Sequence, residues 1–338
     1  MHKVNFIYEK ISWDEAIHCN FRMTAGPFHQ WEYVNLEAKR IEAKPIMILI
    51  ENINGKPVAI CLLIRKIDKY VDLCDATSVY GYNGILGLDG LTAAEQAEAV
   101  LILKQELNQL GCVSVYNRPY PPSPNITPGA KYVGDVLAIN LTRGEEAYEA
   151  GLSSGHAYEI KKLKLAGVKV EIDAAINRLE EFHSIYLKTM SHRDAAGMYF
   201  FPLEYFRSLL DAKSTKAELH LALMDGVVAA GAIFLKSETE IFYHFSGSRS
   251  GITKYPATKL LIDAVVRSAI REGTRRFLHL GGGVGAKVDA LFDFKRRFGC
   301  QTMPYCTDAW IIRPADYESL SSSMKSSTRP EFFPAYRA

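Results

Sequence analysis

One pattern occurs twice in this chain, and it restricts the fold more than any single motif does. In the first half Ile46–Glu51 reads as a strand, Asn54-Gly55 as a hairpin turn and Pro57–Lys66 as the returning strand. In the second half Leu219–Met224, Asp225-Gly226 and Val227–Lys236 repeat that order. Asn-Gly and Asp-Gly suit the left-handed backbone of a two-residue hairpin turn. Each hairpin is followed by a further strand, Tyr70–Thr77 or Glu240–Ser246, and then by a small-residue loop, Tyr80–Gly84 or Ser246–Gly251. A helix follows in both halves, Thr92–Leu110 and Ala257–Glu272, stopped by Gly111 and Gly273, where glycine takes the left-handed C-terminal position cheaply. A last strand leaves each helix, Cys112–Tyr116 and Arg276–Leu280. The turn glycines and the helix-ending glycines are separated by nearly the same interval, so the chain reads as two copies of one hairpin–strand–helix–strand unit. Thr92 with Glu95 three residues on is a capping box at the first helix.

Composition narrows the setting. The 338 residues suit two domains at about 150 residues each, expected as 1–145 and 146–320, with a polar, mobile tail at 321–338. The 40 basic and 38 acidic residues leave a net charge of +2, which gives no global reason to bind nucleic acid, DNA included, and leaves room only for a local basic patch. No segment approaches the ~18–20 apolar residues of a membrane span, and the first ten residues lack the apolar stretch of a secretory signal. A cytoplasmic protein with at most peripheral membrane contact is expected. The six cysteines form no C-x-x-C pair, and Cys61 and Cys112 lie in apolar strand-like runs, where a buried thiol is the plain reading. No histidines stand at metal-ligand spacing, so no metal is expected. Between the repeats, 151–167 and 174–190 read as helices, and 119–128 as a stiff, proline-rich loop.

The chemistry-bearing segments cluster in the second copy. A strand runs into Gly281, Gly282 and Gly283, then into a basic, aromatic helix ending at Gly299. Three glycines let backbone amides approach an anionic ligand, although a strand end that needs a left-handed residue reads similarly. No Gly-Lys-Ser/Thr follows, and the spacing is not that of a dinucleotide fingerprint. Asp289 and Lys295 are candidate catalytic groups, Asp289 to orient an ammonium and Lys295 to meet a phosphate or carboxylate. Arg296 and Arg297 read as solvated, and Phe292, Phe294 and Phe298 as core. His244 is a candidate base on its strand, with a hydrogen-bonded structural role as the alternative. The loop with Ser246, Arg249 and Gly251 is similar to the R/Q-x-x-G-x-G/A phosphate cradle of acetyltransferases, but the second glycine is missing and Pro256 removes an amide. His192 and Arg193 are acceptor-pocket candidates, with Tyr80, Gly81 and Tyr82 from the first copy. Lys161, Lys162 and Lys164 suit either a phosphorylated ligand, an RNA backbone or a solvated helix face.

The glycine-ended strand with Asp289–Lys295 and Phe298-Gly299 resembles the C-terminal signature of FemAB-like proteins, the peptidoglycan-bridge aminoacyltransferases and their relatives among GNAT-like acyltransferases. Tyr158–Gly167, Tyr199–Pro202 and Leu219–Phe234 are similar to the family as well. The resemblance implies an α/β (α+β) fold of two tandem GNAT-like domains, each a mixed, mostly antiparallel sheet flanked by helices. It implies transfer of an acyl or aminoacyl group to an amine of a small-molecule or lipid-linked amino-sugar or peptide precursor of the envelope, polysaccharide or peptidoglycan. The donor implied is acyl-CoA, such as acetyl-CoA, or aminoacyl-tRNA as the alternative. The broken cradle departs from ordinary acetyltransferases, and the missing helical-hairpin insertion departs from the bridge enzymes. A non-catalytic scaffold in envelope synthesis is the reading from another class.

Overall fold

The computed structural model describes residues 2–68, 70–119, 121, 127, 130–322 and 332–338. The proline-rich segment 119–128 and the polar stretch 321–330 fall largely outside the described residues. The chain divides into two units, Met1–Gly134 with Pro304–Ala338, and Asp135–Met303.

The first unit runs β1 (Val4–Ile7), α1 (Lys10–Phe21), α2 (Trp31–Arg40), β2 (Lys44–Ile53), β3 (Lys56–Ile67), β4 (Tyr70–Thr77), β5 (Ile85–Leu86), α3 (Ala93–Gln109) and β6 (Cys112–Asn117). The second follows with β7 (Lys131–Asn140), α4 (Gly144–Gly151), α5 (Ser154–Leu165), β8 (Lys169–Ile172), α6 (Leu179–His192), α7 (Leu203–Asp211), β9 (Glu218–Met224), β10 (Val227–Lys236), β11 (Glu240–Ser248), α8 (Thr258–Glu272), β12 (Phe277–Gly281) and α9 (Ala290–Arg296). Then β13 (Gln301–Ile311) and α10 (Pro314–Ser322) lead the chain back to the first unit.

In the first unit the strand order is β1-β2-β3-β4-β6-β13. Its pairs are antiparallel except β4 with β6, which is parallel. Ala99, Leu103 and Leu107 of α3 pack on Ile46, Ile48, Ile60 and Leu62 of the β2–β3 hairpin. The capping box forms, with Thr92 N–H donating to Glu95 Oε2 at 2.7 Å and Glu95 N–H to Thr92 Oγ1 at 3.4 Å.

In the second unit the order is β7-β12-β11-β10-β9-β8, and only β11 with β12 is parallel. One face buries Ile160 and Leu163 of α5 and Leu260 and Val265 of α8 against Ala222, Ala230 and Phe234. The other carries aromatic side chains, with Phe206 of α7 edge-on to Phe182, Tyr186 and Phe245 at 5.0–5.8 Å. Helix α6 lies close to the sheet because the cross-strand pair Gly231 and Gly247 has no side chains. A Cβ on Gly231 would come within 2.4 Å of Phe182, and one on Gly247 within 3.0 Å of the Tyr186 backbone.

Both hairpins turn as the sequence suggests: Asn54 and Gly55 have φ of 48° and 85°, and Asp225 and Gly226 have 49° and 79°. Three expectations differ from the structure. Residues 135–145 belong to the second unit, because β7 pairs with β12 through Ala138 and His279, and 304–320 to the first, because β13 pairs with β6. Residues 332–338 are not a mobile tail: Tyr336 is buried and its hydroxyl lies 2.7 Å from Ser114 Oγ, while Arg337 pairs with Asp75. Helix α6 starts at Leu179 rather than 174, because Ile176 takes φ 50° and Asp173 accepts the amides of Asn177 and Arg178 at 3.0 and 2.7 Å. No helix among the described residues is long and apolar enough to cross a membrane.

Candidate active site

The second unit places most of the candidate residues around the ends of β11 and β12. Their parallel pairing covers Glu240–Phe277, Ile241–Leu278 and Phe242–His279 and goes no further. Strand β11 continues to Ser248 along β10, so beyond Phe242 the two strands part. At that point β11 carries an extra residue: Ile233 faces Phe245 and Phe234 faces Tyr243, so His244 occupies a bulge. A bulge re-aims side chains and ends regular pairing, which is why bulges are common beside active sites.

Beyond β12 the glycines build a tight loop. Gly281 has φ 72°. A Cβ on Gly282 would stand 2.8 Å from the Asp135 carbonyl oxygen, and one on Gly283 2.1 Å from that of Lys287. The fold therefore needs all three glycines for its own packing, so their number is not in itself evidence of a ligand. Asp289 closes the loop from its far side. Its Oδ2 accepts the Val284 amide at 2.9 Å and its Oδ1 the Phe292 amide at 2.8 Å, as N-cap of α9. Burial pushes this carboxyl up, but the hydrogen bonds from Phe292, Val284 and Leu291, with Lys295 nearby, outweigh it and hold the group below the usual carboxylate range. With one amide on each oxygen, Asp289 organises the loop and caps α9.

Lys295, one turn into α9, is buried at 8% exposure and donates to the Gly282 carbonyl at 2.7 Å. Burial lowers its ammonium to about 8, opposed by the Asp289 charge and reinforced by Arg193. At neutral pH the group is still mainly protonated, with two N–H bonds beyond the one on Gly282. Arg193, the C-cap of α6, acts electrostatically on both Lys295 and Tyr243 and is exposed. Burial pushes the Tyr243 phenol up to about 12, opposed by the Ser246 side chain and Arg193. The amides of Gly282 and Gly283 have no hydrogen-bond partner among the described residues. The result is a glycine-lined strand end with free amides, a buried ammonium and a nearby guanidinium, an arrangement that stabilises negative charge developing on an oxygen.

The remaining candidates divide. His244 is half-buried, and burial lowers its imidazole to about 3. It is neutral at physiological pH but too weakly basic to drive proton abstraction well. Arg249 does not point free into a cradle: its amide donates to the Ala229 carbonyl at 2.8 Å and its guanidinium pairs with Glu181 at 3.0 Å. Gly251 has φ 80° with open space around it. His192 ends α6, and it and Lys161 on α5 are exposed. Arg296 and Arg297 are exposed, and Phe292 and Phe298 buried.

Tyr80, Gly81 and Tyr82 lie in the first unit, beyond β4. Tyr80 is clamped by α2: its amide donates to Glu37 Oε2 at 2.9 Å and its carbonyl accepts from Tyr33 at 2.6 Å. Gly81 has φ 123°, and a Cβ there would meet Phe28 at 2.4 Å. The Tyr82 ring sits edge-on between Phe28 and Tyr305, and burial pushes its phenol up.

Two groups of polar residues have no sequence signal. In the second unit His279 Nε2 lies 3.0 Å from Glu240 Oε2, and Glu240 also pairs with Arg276 at 2.7 Å. In the first, Asn117 donates to Asp308 at 3.0 Å with both residues fully buried. Each pairing joins residues far apart in the chain, which no local pattern announces. No cluster of three or more His, Cys, Asp or Glu among the described residues could hold a metal.

Comparison with known proteins adds the following. Residues 154–296 match the model of a GNAT acetyltransferase domain. In fold, the chain is similar to FemX, with a TM-score of 0.71 and 12% identity over 93% of this chain and 99% of that one. It is also similar to the C-terminal domain of a putative lysylphosphatidylglycerol synthetase from Agrobacterium fabrum, with a TM-score of 0.56 and 11% identity over 91% and 93% of the two chains. L-PGS from Bacillus licheniformis gives a TM-score of 0.52 and 10% identity over 90% and 91%. No curated protein sequence matches the chain.

Proposed function

We propose that this chain, whose residues 154–296 match a GNAT acetyltransferase domain and whose fold is similar to that of FemX, is an acyltransferase that acylates an amine of a cell-envelope precursor, using an activated acyl donor bound at the parted ends of β11 and β12. The observation that carries this reading is the juxtaposition of the unengaged Gly282 and Gly283 amides with the Lys295 ammonium. The acceptor amine attacks the donor carbonyl, the carbonyl oxygen becomes negative, and the amides with Lys295 stabilise it. Much of the rate then comes from holding amine and carbonyl together. Asp289 keeps the loop in shape for this. Water or the leaving group takes the proton, since His244 is too acidic as an imidazolium to do so efficiently.

The envelope assignment draws on the fold relatives, one named as FemX and one as a putative lysylphosphatidylglycerol synthetase, a name that joins an amino acid to a lipid. Acyl-CoA is the first donor to test, as the GNAT domain suggests. Its phosphates would need amides at the start of α8, where no side chain caps the helix, because Arg249 is held by Glu181.

A second reading, with aminoacyl-tRNA as donor, is favoured by one surface. Tyr158 of α5 and Tyr255 stand edge-on at 6.2 Å, with Lys162 over the first ring at 5.4 Å and Lys254 over the second at 5.7 Å. Rings interleaved with lysines are what an unpaired RNA end stacks on. A thermal-shift screen against acyl-CoAs, aminoacyl-tRNA and nucleotide-linked amino sugars separates the two, since a ligand at 100 times its Kd raises stability by about 2.7 kcal/mol. Stabilisation by acyl-CoA supports the first donor; stabilisation by aminoacyl-tRNA, lost on RNase treatment, supports the second. Stabilisation by NAD or ATP alone contradicts both.

A further inference from the structure

The first unit holds two free thiols in a special relation. Cys74 of β4 and Cys112 of β6 are direct partners in the parallel register. Neighbouring strands run about 4.8 Å apart, inside the ~4.4–6.8 Å between Cα atoms that a disulfide spans. Both side chains belong to the same core cluster under α3, so they point to one face of the sheet. The strands are tied together at this level by the Cys74 amide, which donates to the Gly111 carbonyl at 3.1 Å. Cys112 is fully buried, whereas Cys74 is partly exposed. The Arg313 guanidinium lies beside this rung, 3.9 Å from where a Gly111 Cβ would be. No other two of the six cysteines are partners on neighbouring strands among the described residues.

We infer that Cys74 and Cys112 are an oxidisable dithiol, a modification site at which a hydroperoxide closes a disulfide between β4 and β6. The order of events follows from access. Cys74 Sγ, as thiolate, attacks one oxygen of the peroxide; the S–O bond forms, the O–O bond breaks, and the second oxygen leaves as hydroxide and is protonated to water. Cys74 is then a sulfenic acid. Cys112 Sγ attacks that sulfur, the S–S bond forms, the S–O bond breaks, and hydroxide leaves with the Cys112 proton as a second water. Two thiols have lost two electrons, and one hydrogen peroxide has become two waters. The neighbouring Cys112 and the Arg313 charge lower the Cys74 thiol, whereas the neighbouring Cys74 and burial raise that of Cys112, which agrees with Cys74 reacting first. Elsewhere burial pushes the Cys61 thiol up and that of Cys300 to about 12, so those sulfurs resist oxidation.

The test is to treat the full chain with hydrogen peroxide, alkylate the remaining thiols and map the peptides without reduction. The expected product is a Cys74–Cys112 linked peptide, lighter than the two thiol peptides by two hydrogen atoms and restored by dithiothreitol. In Cys112→Ser, dimedone should trap a sulfenic acid at Cys74. Because the first readout uses the unaltered protein, a folding defect in the variant does not affect it. A cross-link between any other pair, conversion of Cys74 to sulfinic acid without a cross-link, or oxidation confined to the exposed Cys19 would each overturn the inference.

Discussion

The two units end their parallel strand pairs in opposite ways. In each, three rungs of register join the strand after the hairpin to the strand after the helix: Cys74–Cys112, Ala76–Val115 and Thr77–Tyr116 in the first unit, and Glu240–Phe277 to Phe242–His279 in the second. Beyond the rungs of the first unit, the space is filled. Asn83 and Asn117 are fully buried, Asn83 donates to the Cys61 carbonyl at 2.8 Å, and Tyr82 packs between Phe28 and Tyr305. Beyond those of the second unit the strands part around glycines, unengaged amides and two cations. The same backbone frame therefore gives a plugged end where aromatic rings and amide side chains occupy it. In the second unit the corresponding end carries a tightly packed glycine loop with unengaged amides. The proposed acyl transfer belongs to that end.

The largest effect that could break this comparison is expected at Gly283. Gly283→Ala puts a methyl 2.1 Å from the Lys287 carbonyl and 2.3 Å from Asp289, so the loop must move. Transfer should fall by more than about 100-fold, the scale of losing a preorganised oxyanion donor, while circular dichroism still reports a folded chain. Normal turnover would mean that the loop does not hold the reacting atoms.

Next in size is Lys295→Ala, expected to lower kcat by about 10²–10³. With the ammonium at about 8, the unaltered enzyme should lose rate as pH rises through that value, because the protonated form stabilises the oxyanion. Lys295→Arg should move that limb to higher pH. An unchanged pH profile would remove Lys295 from the chemistry.

Asp308 tests the plugged end. Burial raises its carboxyl to about 6, against the hydrogen bonds from Asn117 and Thr127. Folded, the group holds its proton more tightly than unfolded, so stability declines as pH rises from the ordinary carboxylate range to about 6, and the whole penalty remains above that. Asp308→Asn should stabilise the chain by about 1–3 kcal/mol at pH 7, with the gain vanishing near pH 4 in urea unfolding. A loss of stability at pH 7 would show that the buried charge is better satisfied than its surroundings indicate. The smallest effect is expected for Tyr82→Phe, which should change the transfer rate by less than about threefold, well below the loss of a catalytic contact.

Much of the frame was legible because its signals are local. Asn54-Gly55 and Asp225-Gly226 fix their turns by backbone preference alone, and Thr92 with Glu95 marks a helix start. Lys295 and the glycine loop were legible as a candidate because glycines and a lysine stand close in sequence. The capping of α9 by Asp289 was not, since the amides its oxygens accept are known only from the folded loop. Arg249 looked available until Glu181, 68 residues earlier, proved to hold it. The strands β7 and β13 carry no turn signal of their own, and they set the unit boundary through pairings with β12 and β6.

The central claim is that the donor's reacting end binds at the second unit's strand end. Hydrogen exchange followed by mass spectrometry, with and without acetyl-CoA or aminoacyl-tRNA, measures this at peptide resolution. The account predicts slower exchange of the 281–284 amides with the productive donor and unchanged exchange at 78–84. Protection at 78–84 with no change at 281–284 would contradict it.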